Sequence, residues 1–126
     1  MKKVHVIILF MLFYTITGNA QTSTTVEMGE SNYKLYETSN MWTFLKLDTR
    51  TGQIWQVQYS VEGAEYRFET DLSTNDLTIG ANKKPGRFEL YKTQNMHNFI
   101  LLDKVDGRTW QVQWGKAADR FVIRIY

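Results

Sequence analysis

Few residues of this chain have the chemistry of a catalytic site. The chain contains no cysteine and two histidines, and only His97 lies beyond the first twenty residues. A Ser-His-Asp arrangement would have to use His97, because nucleophilic catalysis needs a base held beside the nucleophile. A sequence repeat, described below, places Trp42 at the position equivalent to His97, and an exchange of His for Trp favours packing or contact with a partner. We therefore predict no catalytic residue.

The carboxylates predict neither an acid–base pair nor a metal site. Asp48 and Asp103 occupy equivalent places in the repeat, so their environments should be similar, whereas acid and base roles need pKa values that differ. Asp103 and Asp106 lack the run of alternating oxygen ligands found in calcium loops. We predict no metal and no cofactor. We expect Asp48 and Asp103 to fix turns, since an aspartate that opens a turn can accept hydrogen bonds from nearby backbone amides.

Four glutamines are better candidates for binding. Gln56 and Gln58 alternate with Trp and Val in one copy of the repeat, as Gln111 and Gln113 do in the other. Four amides around a pseudo-two-fold axis could hydrogen-bond a polar ligand. The alternative is that they form the solvated face of a half-buried sheet or an amide ladder between neighbouring strands.

Aromatic residues are the other candidates. Trp55 and Trp110 are equivalent in the repeat and are predicted to lie in the core. Trp42 and Trp114 have no equivalent Trp, and we expect them to be exposed anchors, because Trp is enriched in binding hot spots; the alternative is that both are core. The candidate partner- or ligand-binding residues, with the variable turn residue Arg50, are Trp42, His97, Trp114, Gln56, Gln58, Gln111, Gln113 and Arg50.

These residues belong to a tandem repeat. Residues 33–59 (YKLYETSNMWTFLKLDTRTGQIWQVQY) align without a gap to residues 88–114 (FELYKTQNMHNFILLDKVDGRTWQVQW), with 13 of 27 positions identical by direct count. Short alternating runs rich in aromatic and β-branched residues, joined by Asp…Gly turns, predict an antiparallel meander of about four strands per copy. One meander cannot bury both of its faces. We therefore predict an all-β domain in which the two meanders form one pseudo-two-fold barrel or sandwich.

The first twenty residues read as a secretory signal peptide. Lys2 and Lys3 precede the apolar run 4–13, and Gly18-Asn19-Ala20 supplies small residues before a cleavage site. The apolar run is shorter than the roughly 20 residues that span a bilayer, so we predict an exported protein, periplasmic or secreted, with no membrane anchor after cleavage. The predicted domains are a signal peptide (1–20), a mature N-terminal tail (21–31) and a single β domain (32–126). That domain comprises repeat 1 (33–70), a linker (71–86) and repeat 2 (87–126).

Charge argues against nucleic acid as a partner. The formal net charge of +2 belongs to the precursor. Removal of Lys2 and Lys3 with the signal peptide brings it to zero. A neutral chain lacks the electrostatic attraction that nucleic-acid binding requires.

The chain resembles a group of small exported bacterial proteins that carry this unit once or twice after a signal peptide. The resemblance rests on the pattern Tyr-x-Thr-x-Asn-x-x-x-Phe-x-x-Leu-Asp-x-x-x-Gly-x-x-Trp-Gln-Val-Gln and covers residues 33–114. It implies export and a fold, and it carries no reaction. The Leu-Asp-x-x-x-Gly-x-x-Trp spacing also resembles, weakly, a hairpin in the blades of quinoprotein-type β-propellers. Two copies cannot form a propeller of four or more blades, so a quinone cofactor does not carry over.

Three functional hypotheses follow in order. The first is an exported non-enzymatic binding module with a protein partner, for example a periplasmic inhibitor or immunity-type protein. The second is a carbohydrate-binding domain that stacks sugars on Trp42 or Trp114 and bonds hydroxyls through the glutamines. The third is a small hydrolase that depends on His97.

Overall fold

A computed structural model describes residue 18, residues 29–80 and residues 82–126. The predicted signal peptide apart from Gly18, and residues 21–28 of the predicted tail, lie outside these ranges. Within the described part of the chain, no helix has the length and hydropathy needed to cross a bilayer.

Eight strands form two antiparallel sheets, each a four-stranded meander, which confirms the all-β prediction. In sheet 1 the order is β1 (Tyr33–Glu37), β2 (Thr43–Asp48), β3 (Ile54–Gln58) and β4 (Phe68–Ser73). In sheet 2 it is β5 (Phe88–Lys92), β6 (Asn98–Asp103), β7 (Thr109–Gln113) and β8 (Phe121–Ile125). Short 3₁₀ turns at Ala64–Tyr66 and Ala117–Asp119 precede β4 and β8. Strand β4 runs three residues beyond the predicted end of repeat 1.

The turns between the second and third strands of each sheet depend on an aspartate and a glycine, as the sequence predicts. The Asp48 carboxylate accepts the Arg50 N–H at 2.9 Å, and the Asp103 carboxylate accepts the Val105 N–H at 2.9 Å. The turns close on glycines at φ 81° and φ 78°, Gly52 and Gly107, a region that residues with a side chain rarely adopt. Each sheet therefore owes its central hairpin to the same local chemistry.

Each sheet has two faces, which we name after the Trp-Gln-Val-Gln run. The Trp face carries Trp55 in sheet 1 and Trp110 in sheet 2. The Gln face carries Gln56 in sheet 1 and Gln111 in sheet 2. Residues paired across antiparallel strands share a face. Leu35, Phe44, Lys46 and Val57 thus join Trp55, and Leu90, Phe99, Leu101 and Val112 join Trp110.

The core lies between the Gln face of sheet 1 and the Trp face of sheet 2. Sheet 1 contributes the buried side chains of Leu45, Leu47 and Ile54. Sheet 2 contributes Phe88, Leu90, Phe99, Leu101, Trp110, Val112 and Trp114. Several hydrogen bonds cross between the sheets; among them, the Gly115 N–H donates to Gln56 Oε1 at 3.1 Å, and the Leu90 N–H donates to the Tyr36 hydroxyl at 3.3 Å.

The two copies therefore bury opposite faces, and this corrects the predicted arrangement. The sheets are separate and are not closed into a barrel. A two-fold axis would bury the same face of each copy, whereas a stack repeated by translation buries unlike faces. Trp110 lies in the core as predicted, but its equivalent Trp55 is partly exposed on the outside. Gln56, at 5% exposed, is buried between the sheets.

A buried ion pair fixes the start of sheet 2. Arg87 donates to both carboxylate oxygens of Asp103, with Nε–Oδ1 at 3.0 Å and Nη2–Oδ2 at 2.8 Å, and Arg108 Nη2 reaches Oδ2 at 3.0 Å. Burial raises the pKa of Asp103, but hydrogen bonds from Arg87, the Val105 N–H and Arg108 outweigh it and hold this pKa at about 2. The equivalent Asp48 is paired with Arg50, whose side chain is 32% exposed.

Candidate binding face

The four glutamines do not come together. Gln56 faces sheet 2 and Gln111 lies on the outer face of sheet 2, because the sheets stack with unlike faces in contact. Gln58 Nε2 donates to the Tyr66 carbonyl at 3.1 Å, and Gln113 Nε2 donates to the Asp119 carbonyl at 2.9 Å. These two hydrogen bonds connect the ends of β3 and β7 to the segments that follow them. A shared amide site around a two-fold axis is therefore absent from the described residues.

The prediction that Trp114 is an exposed anchor is wrong. Trp114 is 5% exposed, and its indole N–H donates to the Met96 carbonyl at 3.1 Å. The His97 ring lies 5.2 Å from the Trp114 ring at its exposed edge, where a hollow of about 290 Å³ opens. The His97 backbone N–H donates to Asn95 Oδ1 at 3.0 Å, and among residues 29–80 and 82–126 no side chain hydrogen-bonds the imidazole.

Trp42 lies at the rim of sheet 1, as a contact residue should. Its backbone N–H donates to Asn40 Oδ1 at 2.9 Å, and this hydrogen bond anchors the turn between β1 and β2. Its ring packs on Tyr59, with ring centroids 5.1 Å apart. A cavity of about 220 Å³ opens beside the pair and is lined by Asn40, Trp42, Gln58, Tyr59, Glu62 and Tyr66.

Arg50 is fixed within the fold. Its Nε donates to Asp48 Oδ1 at 3.0 Å and its Nη2 to Oδ2 at 2.9 Å, and the hydrogen bond to Asp48 raises the pKa of the guanidinium. The guanidinium carbon lies 5.3 Å from the centre of the Tyr33 ring. Arg50 therefore borders the Trp face of sheet 1 as an already neutralised charge.

The largest group of exposed aromatic residues lies on the Trp face of sheet 1, which no described residue covers. Tyr33 and Trp55 lie with ring centroids 6.4 Å apart. Further along the face, Phe44 lies 6.2 Å from Tyr59, which in turn contacts Trp42. Leu35, on the edge strand β1, is 59% exposed. Exposed apolar patches of this kind mark interaction sites.

Lys46 supplies the positive charge at the centre of this face. Its ammonium lies 4.7 Å from the centre of the Trp55 ring and 5.8 Å from that of Tyr33, and it forms a salt bridge with Glu69. Cations over aromatic faces are attracted to the ring quadrupole. Because the long Lys46 stem lies along the aromatic rings, the face combines apolar area with a charged centre.

Sequence reasoning missed this face because it placed Trp55 in the core. One signal could have found it. Lys46 is equivalent to Leu101, which is fully buried, and lysine is almost never fully buried unless it is paired. A lysine in the middle of an otherwise apolar strand face indicates that this face of repeat 1 is open to solvent.

Within the described residues, no group of three or more His, Asp or Glu side chains is placed to hold a metal ion. The Trp face of sheet 1 offers apolar contact and aromatic stacking, together with Lys46, which is paired with Glu69; Asp71 lies on the same face. No protein-family model matches this chain, and neither a curated protein nor a solved structure is significantly similar to it.

Proposed function

We propose that this protein is an exported, non-enzymatic binding module and that it binds a protein partner through the Trp face of sheet 1. The observation that carries the proposal is the cluster of Tyr33, Leu35, Phe44 and Trp55 on a sheet face that none of residues 29–80 and 82–126 covers, with Lys46 at its centre. Aromatic residues are enriched at the centres of protein interfaces, where they give much contact area for little side-chain entropy. An inhibitor or immunity-type role is one form that such a module takes.

Rigidity of the platform supports a binding role. The Trp face of sheet 1 is built on three consecutive strands, with Lys46 opposite Trp55 and Leu35 opposite Lys46. The sheet is held from behind by the core. Because side chains on a packed sheet lose little freedom on association, the cost of binding is low.

Matched variants test the proposal. Leu35→Glu puts a charge on the Trp face opposite Lys46, where an opposite-charge pair is tolerated. Ile79→Glu adds the same charge at a residue that is 75% exposed in the linker. Each chain is immobilised and exposed to an extract of exported bacterial proteins. A partner retained by the wild-type chain and by Ile79→Glu, but lost with Leu35→Glu, supports the proposal; equal capture by all three overturns the assignment of the face.

A carbohydrate ligand is the second candidate, and the cavity beside Trp42 favours it. The Trp42 and Tyr59 rings, tilted by 55° to each other, border Asn40, Gln58 and Glu62. This combination of an aromatic platform and hydrogen-bonding groups suits a sugar. Titration with a panel of polysaccharides should then change the tryptophan fluorescence of the wild-type chain and not that of Trp42→Ala. An unchanged signal across the panel would eliminate this candidate.

A further inference from the structure

The contact inside this chain joins two different surfaces. The Gln face of repeat 1 covers the Trp face of repeat 2. Such a contact is heterologous: it uses a pair of unlike surfaces and leaves one copy of each unused. The unused pair consists of the Trp face of sheet 1 and the Gln face of sheet 2.

The two unused faces resemble the two that are already in contact. On the Trp face, Leu35, Phe44, Trp55 and Val57 are identical in type to the buried Leu90, Phe99, Trp110 and Val112. On the Gln face, Tyr91, Ile100, Leu102 and Gln111 stand where the inner sheet has Tyr36, Leu45, Leu47 and Gln56. The surfaces that recognise one another within the chain are therefore both present on its outside.

Much of each unused face is apolar, although charged residues of β2 and β4 also lie on the Trp face of sheet 1. Strands β2 and β6 carry apolar residues on both faces, a pattern typical of sheets that are covered on both sides. On the Gln face of sheet 2, Ile123 is 57% exposed and lies opposite Gln111 in register. Ile125 lies opposite Thr109 on the same face and is also exposed.

We infer that the Trp face of sheet 1 binds the Gln face of sheet 2 of a second copy of this chain, so that copies associate head to tail by repeating the contact already present between the two sheets. The inference rests on the proposed function, since it names a partner for the same face. A head-to-tail contact closes into a ring when its rotation permits and otherwise extends into a filament.

Lys46 limits this association. Its equivalent in the internal contact is Leu101, which is fully buried. Covering the Lys46–Glu69 pair with a second sheet would remove both charges from water, at a cost that the ion pair repays incompletely. Terminal units of stacked repeat proteins carry polar outer faces for the same reason. Self-association is thus weak and concentration-dependent in the natural chain.

Sedimentation equilibrium on the purified exported chain, over about a hundredfold range of concentration, tests the inference. The wild-type chain should show reversible self-association. Lys46→Leu combined with Glu69→Val, which removes both charges of the pair, should lower the dissociation constant by about tenfold or more. Leu35→Glu and Ile123→Glu should each abolish self-association, because each blocks one face. Ile79→Glu, with the same change of charge in the linker, should behave as wild type.

Mixing the two blocked variants tests the head-to-tail geometry. Leu35→Glu retains a free Gln face and Ile123→Glu retains a free Trp face, so an equimolar mixture should form a 1:1 pair and nothing larger. A mixture that remains monomeric, or a Lys46→Leu/Glu69→Val chain that remains monomeric at the highest concentration, overturns the inference. Self-association that survives in either blocked variant also overturns it. If Leu35→Glu still loses a foreign partner in the capture experiment, the proposed function stands while this inference fails.

Discussion

Sheet 1 and sheet 2 each contain a strand with the sequence Trp-Gln-Val-Gln. The side of this strand that is buried in one sheet is the side that is exposed in the other. In sheet 2 the core receives Trp110, and Gln111 points to the outside. In sheet 1 the core side receives Gln56, and Trp55 is left on the outside. The covered side differs between the copies although the strand sequence is the same, and on the Trp face of sheet 1 Lys46 and Glu69 stand where the covered Trp face of sheet 2 has Leu101 and Val122.

This difference gives equivalent residues different surroundings. A tryptophan that fills the core in one copy lies partly exposed on the outer face of the other. Lys46, which replaces a buried leucine, belongs to the exposed copy. Identity between the two repeats therefore does not mark a residue as structural in both places.

The largest expected effects come from two pairs of equivalent, identical residues in which one member is buried and the other is partly exposed. Trp110→Ala should lower the free energy of unfolding by about 3–5 kcal/mol and Leu47→Ala by about 2–5 kcal/mol, because each leaves a cavity in the core. Trp55→Ala and Leu102→Ala, at partly exposed positions, should cost about 1 kcal/mol or less. Urea unfolding followed by circular dichroism measures all four. Equal losses within either pair would contradict the stacking of unlike faces.

The two turn aspartates should differ next. Asp103→Asn leaves Arg87, which is 3% exposed, with the Asp106 carboxylate 3.7 Å away as a weaker counter-charge, so the loss should lie towards the lower end of the range of about 3–5 kcal/mol that breaking a buried pair costs. Asp48→Asn should cost about 1 kcal/mol or less, since Arg50 remains partly solvated. Both asparagines keep a side-chain oxygen for the turn amide, so the comparison isolates the ion pair.

The same two aspartates allow a comparison of how the free energy of unfolding changes at acid pH. The pKa of Asp103 is about 2 in the folded chain, against an ordinary value of 3.8. A lowered pKa stabilises the folded chain above the ordinary value, and this stabilisation is lost as the pH falls from about 4 towards 2. The free energy of unfolding should fall less steeply over that range in Asp103→Asn than in wild type or Asp48→Asn. An unchanged slope in Asp103→Asn would show that the buried pair does not govern the acid limb.

The smallest effect concerns the glutamines. Gln56→Ala removes the acceptor of the Gly115 N–H from the space between the sheets and should cost about 1–2 kcal/mol. Gln111→Ala lies on the outer face and should change the free energy of unfolding by no more than about 0.5 kcal/mol. Thermal unfolding of the two variants side by side resolves the difference. Equal destabilisation would mean that both glutamines are inside.

Much of the local structure could be predicted from the sequence. The repeat, the strands and the aspartate turns depend on contacts between residues near one another in the chain, and such contacts leave regular patterns. The exposure of Trp114 was predicted wrongly because a missing equivalent in the other copy says nothing about burial. The candidate site was found in part: Trp42 lies at its rim, whereas Tyr33, Phe44, Lys46 and Trp55 were missed or assigned to other roles.

The sequence by itself determined which residues share a face, because side chains alternate along a strand whatever the strand packs against. Trp55 and Val57 had to lie together, and so did Gln56 and Gln58. Only the tertiary structure decided which faces of the two copies meet. Lys46 indicates that the Trp face of sheet 1 is open, but it does not say which face of sheet 2 packs against the other side of sheet 1. That choice is set by contacts between residues far apart in the chain, such as Gln56 with Gly115, and alternation within a strand cannot encode it.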